Sequence, residues 1–98
     1  MTTYIELHVT MTGDPVAIKP VVENIGWKFS RIDGDPVLGL GVKCYATKQA
    51  KYKEDHFEEA SRTVLMAGEA LRNAGLTVVR EKVEVVVFDR IHKPHAGA

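Results

Sequence analysis

Residues Tyr4-Ile5-Glu6-Leu7-His8-Val9-Thr10-Met11 alternate apolar and polar without a break. That period belongs to a strand, because successive side chains of extended backbone point to opposite sides. Ile5, Leu7, Val9 and Met11 share one side, while Tyr4, Glu6, His8 and Thr10 share the other. The segment therefore demands a sheet with one face packed on a core and the other open. Polar chemistry in such a chain belongs on the open face.

The remaining segments supply the partners. Gly13-Asp14-Pro15 ends the strand and opens a helix, with Asp14 as N-cap and Pro15 in the first turn. Ile18, Val21, Val22 and Ile25 make its apolar face; Pro20 predicts an interruption or a late start, and Gly26 a stop. Trp27 to Ile32 reads as a second strand, with Trp27 packed at an edge. Asp33-Gly34-Asp35-Pro36 and Gly39-Leu40-Gly41 predict a long loop. Val42 to Thr47 follows as a strand with Lys43, Tyr45 and Thr47 on one face and Val42, Cys44 and Ala46 on the other.

Lys53 to Ala74 is the longest helical pattern, with Phe57, Ala60, Val64, Ala67, Leu71 and Ala74 at three- and four-residue spacing. The last strand is expected over Arg80 to Asp89, after an extended piece at residues 77–79. Val83, Val85 and Val87 form its inner face, and Lys82, Glu84, Val86 and Phe88 its outer one. Residues 1–91 form a single domain, and 92–98 a flexible tail.

This order of strand, helix, strand, strand, helix, strand resembles the split βαβ, or ferredoxin-like, plait. The resemblance implies an α+β βαββαβ sandwich: a four-stranded antiparallel sheet, ordered 4-1-3-2, with both helices on one face. Ninety-eight residues suffice for one such core. Thirteen basic and thirteen acidic residues cancel, so no net field draws the chain to nucleic acid or an anionic membrane. One cysteine, Cys44, forbids an intramolecular disulfide. No signal-peptide pattern and no apolar run of about 20 residues occurs. The expectation is a cytoplasmic protein without metal or cofactor.

The open face collects Tyr4, Glu6, His8, Thr10, Lys43, Tyr45 and Lys82 as candidate ligand-binding residues. His8-Val9-Thr10 resembles one His-x-Thr motif of the two-histidine phosphoesterases. That resemblance implies a histidine that moves protons beside a hydroxyl that binds phosphate, making His8 and Thr10 the catalytic candidates. Those enzymes use two such motifs; here the corresponding place on the third strand reads Tyr45-Ala46-Thr47, without histidine. Tyr4 and Tyr45 are placed like the stacking aromatics of RNA-recognition motifs, but residues 41–46 lack that family's aromatic-rich pattern.

Asp33 and Asp35 suit turns better than a calcium loop, since no glutamate follows at the required spacing. Lys48, Lys51 and Lys53, with Tyr52, read as a solvated basic run before the long helix. His92 and His95 lie in the expected tail, a poor scaffold for metal. Cys44 reads as an inert core thiol facing the helices. The first functional expectation is an interaction or assembly module, a homo-oligomer associating through its sheet, motivated by outward Val86 and Phe88. The alternative is binding or hydrolysis of a phosphate ester or nucleotide around His8 and Thr10.

Overall fold

A computed structural model describes residues 3–51 and 56–87. The elements are β1 (Tyr4–Thr12), α1 (Pro15–Asn24), β2 (Lys28–Asp35), β3 (Gly39–Lys51), α2 (His56–Asn73) and β4 (Thr77–Val86). All neighbouring strands are antiparallel, in the order β2-β3-β1-β4. This is the ferredoxin-like α+β sandwich that the element order implied. Tyr52, Lys53, Phe88, His92, His95 and the expected tail lie outside the described residues.

The alternation of β1 does what its pattern requires. Ile5, Leu7, Val9 and Met11 are each at most 2 % exposed. Ile18 and Val22 of α1 and Ala60, Val64, Ala67 and Leu71 of α2 join them in one cluster, so both helices cover that face. Cys44 and Ala46 of β3 are fully buried in the same layer. Each large aliphatic side chain withdrawn from water contributes about 1.5–3 kcal/mol. Burial also pushes the Cys44 thiol above its ordinary pKa, the inert state expected of it.

Asp14 caps α1 by accepting a hydrogen bond from the Val16 amide at 3.0 Å. The helix then runs through Pro20 without the expected interruption. Proline here removes one backbone donor on a side where Val16 is 82 % exposed, so water can satisfy the lost partner. Along α2, Ala60, Val64, Ala67, Gly68 and Leu71 form the buried stripe. Phe57 is half-exposed, and Ala74 lies beyond the helix end. The Leu76 amide turns back to the Leu71 carbonyl at 3.1 Å, closing the last turn. Glu81 of β4 lies against Gly68 and pairs with Arg72.

Three sequence expectations need correction. The long loop at residues 33–41 is instead a β-hairpin: β2 continues to Asp35, β3 resumes at Gly39, and only residues 36–38 turn. Gly34 sits where the register shifts, with φ 87°, and Gly39 leaves the turn with φ 88°. These glycines shape strand irregularities that need positive φ, instead of ending the strands. Lys48 and Lys51 consequently belong to β3, which is longer than predicted.

Trp27 lies 7 % exposed inside the core cluster, not on an edge. On β4, Val83 packs against the core, but Val85 is 36 % exposed, and Val87, just past the strand end at Val86, is 66 % exposed, so the inner face ends earlier than expected. Val86 is half-buried beside Tyr4. No helix among the described residues is long and apolar enough to cross a membrane.

Candidate functional site

The open face is a small grid set by strand register. Thr10, His8 and Glu6 of β1 form its central column. They face Tyr45, Thr47 and Gln49 on β3 and Arg80, Lys82 and Glu84 on β4. Ser30 of β2 borders Tyr45. A concavity of about 260 Å³ lies over this grid. A hollow of the same volume lies on the helix side, beside Ile5, Leu7 and Ala60, with Lys48, Lys51, His56 and Glu59 also in its lining.

A bulge places the Arg80 corner. Thr10 pairs with Arg80 while Met11 pairs with Val78, leaving Val79 as the extra residue of β4. Val78 thereby packs on the core and Arg80 stands beside Thr10 on the open face. Bulges re-aim side chains in this way next to sites. Thr10 is 1 % exposed, lines the concavity, and has no side-chain hydrogen bond among the described residues. Arg80 enters no ion pair among the described residues, although its charge is felt at longer range by Asp35 and Tyr45.

His8 occupies the centre and is held at both ring nitrogens. Nε2 lies 2.9 Å from Glu6 Oε1 and 3.8 Å from Glu84 Oε1; Nδ1 lies 3.1 Å from Thr47 Oγ1. An ionised carboxylate can only accept, so in the neutral ring Nε2–H donates to Glu6. Nδ1 is then the acceptor and takes the Thr47 hydroxyl proton into its hydrogen bond. Lys82 Nζ approaches Glu84 Oε2 at 3.3 Å, and Gln49 Nε2 donates to Glu6 Oε2 at 3.4 Å. Glu6, His8 and Glu84 offer three ligand atoms within 4.8 Å of one another, a set that could hold a cation although the sequence suggested no metal site. Lys82 already supplies a positive charge to Glu84 there.

At the opposite end the Tyr45 hydroxyl donates to Asp35 Oδ2 at 2.7 Å, while Asp35 Oδ1 accepts the Val37 and Leu38 amides at 2.8 and 2.9 Å. The Leu38 amide, then Tyr45 and the Val37 amide, hold the Asp35 carboxyl at about 2. Burial, reinforced by Asp35, pushes Tyr45 up to about 12. Asp35 therefore adds stability above the ordinary carboxylate pKa that disappears as pH falls through about 2. Tyr45 adds stability below its unfolded value, near about 10, that disappears as pH rises through about 12. We expect the Val37 and Leu38 amides to show constant hydrogen-exchange protection factors from about pH 4 to about pH 10. In Asp35→Ala that protection should collapse throughout the range; unchanged protection would show that the tie does not hold the turn.

Of the residues singled out in the sequence, Glu6, His8, Thr10, Tyr45 and Lys82 converge on the concavity. Lys43 does not: it is 7 % exposed and its ammonium donates to the Leu40 carbonyl at 2.9 Å, a partner created by the hairpin. Tyr4 lies at the far end of β1, between Lys51 and Val86. The Tyr45 hydroxyl proton is committed to Asp35. Arg80, Ser30, Thr47 as a His8 partner, and Asp35 were missed as site residues. Extending the β4 alternation back two residues from Lys82 reaches Arg80, whereas nothing local marks Asp35 as a partner of Tyr45. No family model, curated protein or solved structure matches the chain.

Proposed function

We propose that the open face binds a small phosphorylated ligand, with its phosphate at the Thr10–Arg80 corner and His8 as the neighbouring proton carrier. The observation that carries this reading is the pairing, across one register position, of an unengaged guanidinium with the unengaged hydroxyl of an otherwise buried Thr10, which opens on the concavity. Arginine and hydroxyl donors suit phosphate oxygens, and a charge-assisted bond is about twice as strong as a neutral one. Two carboxylates, Glu6 and Glu84, stand at the other end of the grid against one, Asp35, near this corner. An anion is therefore less disfavoured here, which gives the ligand a direction. The reading keeps the His-x-Thr resemblance but needs no second histidine.

Titrating the protein with inorganic phosphate and nucleoside monophosphates, followed by amide NMR, tests it. Shifts centred on Thr10, Ser30 and Arg80 are expected. Shifts confined to Lys48 and Lys51, or none at millimolar ligand, would remove the reading.

Self-association remains a second reading on a different basis from Val86 and Phe88. Strand β4 is a sheet edge, and Val79 and Val85 along it and Val87 just past its end are 42 %, 36 % and 66 % exposed. Exposed apolar edges invite pairing with another strand. Light scattering should show a dimer that Val85→Lys dissociates; a monomer at 100-fold dilution and at high concentration alike would refute it.

A further inference from the structure

The hydrogen bonds around His8 carry more than ligand binding. Thr47 Oγ1 lies 3.1 Å from Nδ1, and Glu6 Oε1 lies 2.9 Å from Nε2. Hydroxyl, imidazole and carboxylate are thus connected in series, with the ring between its proton donor and its orienting partner. We propose that Thr47 is a nucleophile, activated by His8 and oriented through Glu6, that takes a phosphoryl group from the ligand. This rests on the phosphorylated-ligand reading and adds a covalent step to it.

The arrangement meets the physical requirements of such a step. A threonine hydroxyl is a weak nucleophile until a base within hydrogen-bond reach accepts its proton. His8 Nδ1 is that base, because Nε2–H is held by the carboxylate. The side chains of His8 and Glu6 are only 17 % and 21 % exposed, which keeps the ring in one orientation. Thr47 is half-buried and lines the same concavity as Thr10, Arg80 and Lys82.

Spacing fits as well. Thr10 faces Tyr45, so Thr47 is its diagonal neighbour on the same face. Diagonal neighbours lie about 7–8 Å apart, their Cβ atoms somewhat closer. A phosphoryl group fills that span when one hydroxyl binds an oxygen and the other approaches phosphorus to about 3–3.5 Å. Attack forms the Thr47 Oγ–P bond and passes the hydroxyl proton to His8 Nδ1. The P–O bond to the leaving alcohol breaks in line with the attack, its oxygen keeps the electron pair and takes a proton from water, and the imidazolium on the attacking side gives its proton up to solvent. Arg80 and Lys82 offset charge on the phosphoryl oxygens.

A fluorophosphonate ester tests the nucleophile without knowledge of the natural ligand. Thr47 Oγ displaces fluoride from phosphorus while the proton goes to His8. Trypsin should release Cys44-Tyr45-Ala46-Thr47-Lys48, and fragmentation by mass spectrometry distinguishes Thr47 from Tyr45. The expected result is one adduct, on Thr47, retained in Thr47→Ser and absent in Thr47→Val. Labelling should slow about 100-fold in His8→Ala. Glu6→Gln should slow it less, with circular dichroism unchanged in all variants.

No adduct, an adduct on Tyr45, or equal labelling of His8→Ala would overturn the assignment. Phosphate-dependent shifts at Thr10 and Arg80 without labelling would sink Thr47 alone. Labelling of Thr47 without those shifts would support the nucleophile and sink the phosphate corner.

Discussion

Trp27→Ala is expected to lower the free energy of unfolding by about 3–5 kcal/mol, the usual range for truncating a buried aromatic side chain. Trp27 is 7 % exposed and belongs to the same cluster as Ile18, Val22 and Ala46. It packs where the chain leaves α1 and enters the edge strand β2, in the layer against which Val21, Ile25 and Phe29 also rest. Small domains have total stabilities of about 5–15 kcal/mol, so this single change removes a third or more in most of that range. The Lys48 ammonium sits 6.0 Å from the ring centre, at the outer limit of a cation–π contact. Lys48→Ala should therefore cost only about 0.5–1 kcal/mol. Leu40→Ala is the control: at 97 % exposure it should stay within about 0.5 kcal/mol of the parent. Urea unfolding measures all three, with Trp27→Ala lowering the midpoint at constant slope. A loss below 1 kcal/mol would return Trp27 to the edge role that its position after Gly26 suggests.

The comparison between Trp27 and β1 shows what local pattern can convey. In β1 the polar and apolar residues alternate over eight positions, so facing and burial follow from strand geometry alone. Trp27 stands at a boundary between elements, where no period applies and its surroundings come from distant segments. Residues 33–41 misled for a related reason. Gly34, Asp35, Pro36, Gly39 and Gly41 are turn formers by composition, yet only residues 36–38 turn, because glycine also serves bulges within paired strands. The lost strand length hid Asp35 from Tyr45 and gave Lys43 to the site when its ammonium bends back to Leu40.

The site divides along the same line. Glu6, His8 and Thr10 share a face by alternation, and Lys82 and Glu84 do so on β4. Which residue opposes which is a matter of register, and the bulge at Val79 carries no mark in the sequence. The His8–Thr47 contact joins residues 39 apart in the chain, and was visible only as a missing second histidine. Alternation thus indicates the face, and pairing decides the chemistry on it.

Arg80→Ala should weaken phosphate-ligand binding about 10–100-fold while leaving thermal stability nearly unchanged. The two halves of this expectation have separate causes. A hydrogen bond to a charged group contributes about 1.5–3 kcal/mol, and each 1.4 kcal/mol is tenfold in affinity. Stability is spared because Arg80 forms no ion pair among the described residues, unlike Arg72, which is tied to Glu81. Arg80→Lys should recover only part of the loss, since an ammonium keeps the charge but not the planar fork that meets two phosphate oxygens. Thr10→Val tests the other half of the corner: it keeps the shape of a side chain only 1 % exposed and removes just the hydroxyl. Its affinity loss should be smaller than that of Arg80→Ala, because it deletes a neutral donor. Isothermal titration with a nucleoside monophosphate at two salt concentrations separates the cases: Arg80→Ala should flatten the salt dependence, whereas Thr10→Val should keep the parent slope at lower affinity. Equal slopes in the parent and Arg80→Ala would mean that the phosphate lies elsewhere on the grid, with Lys82 the next cation to replace.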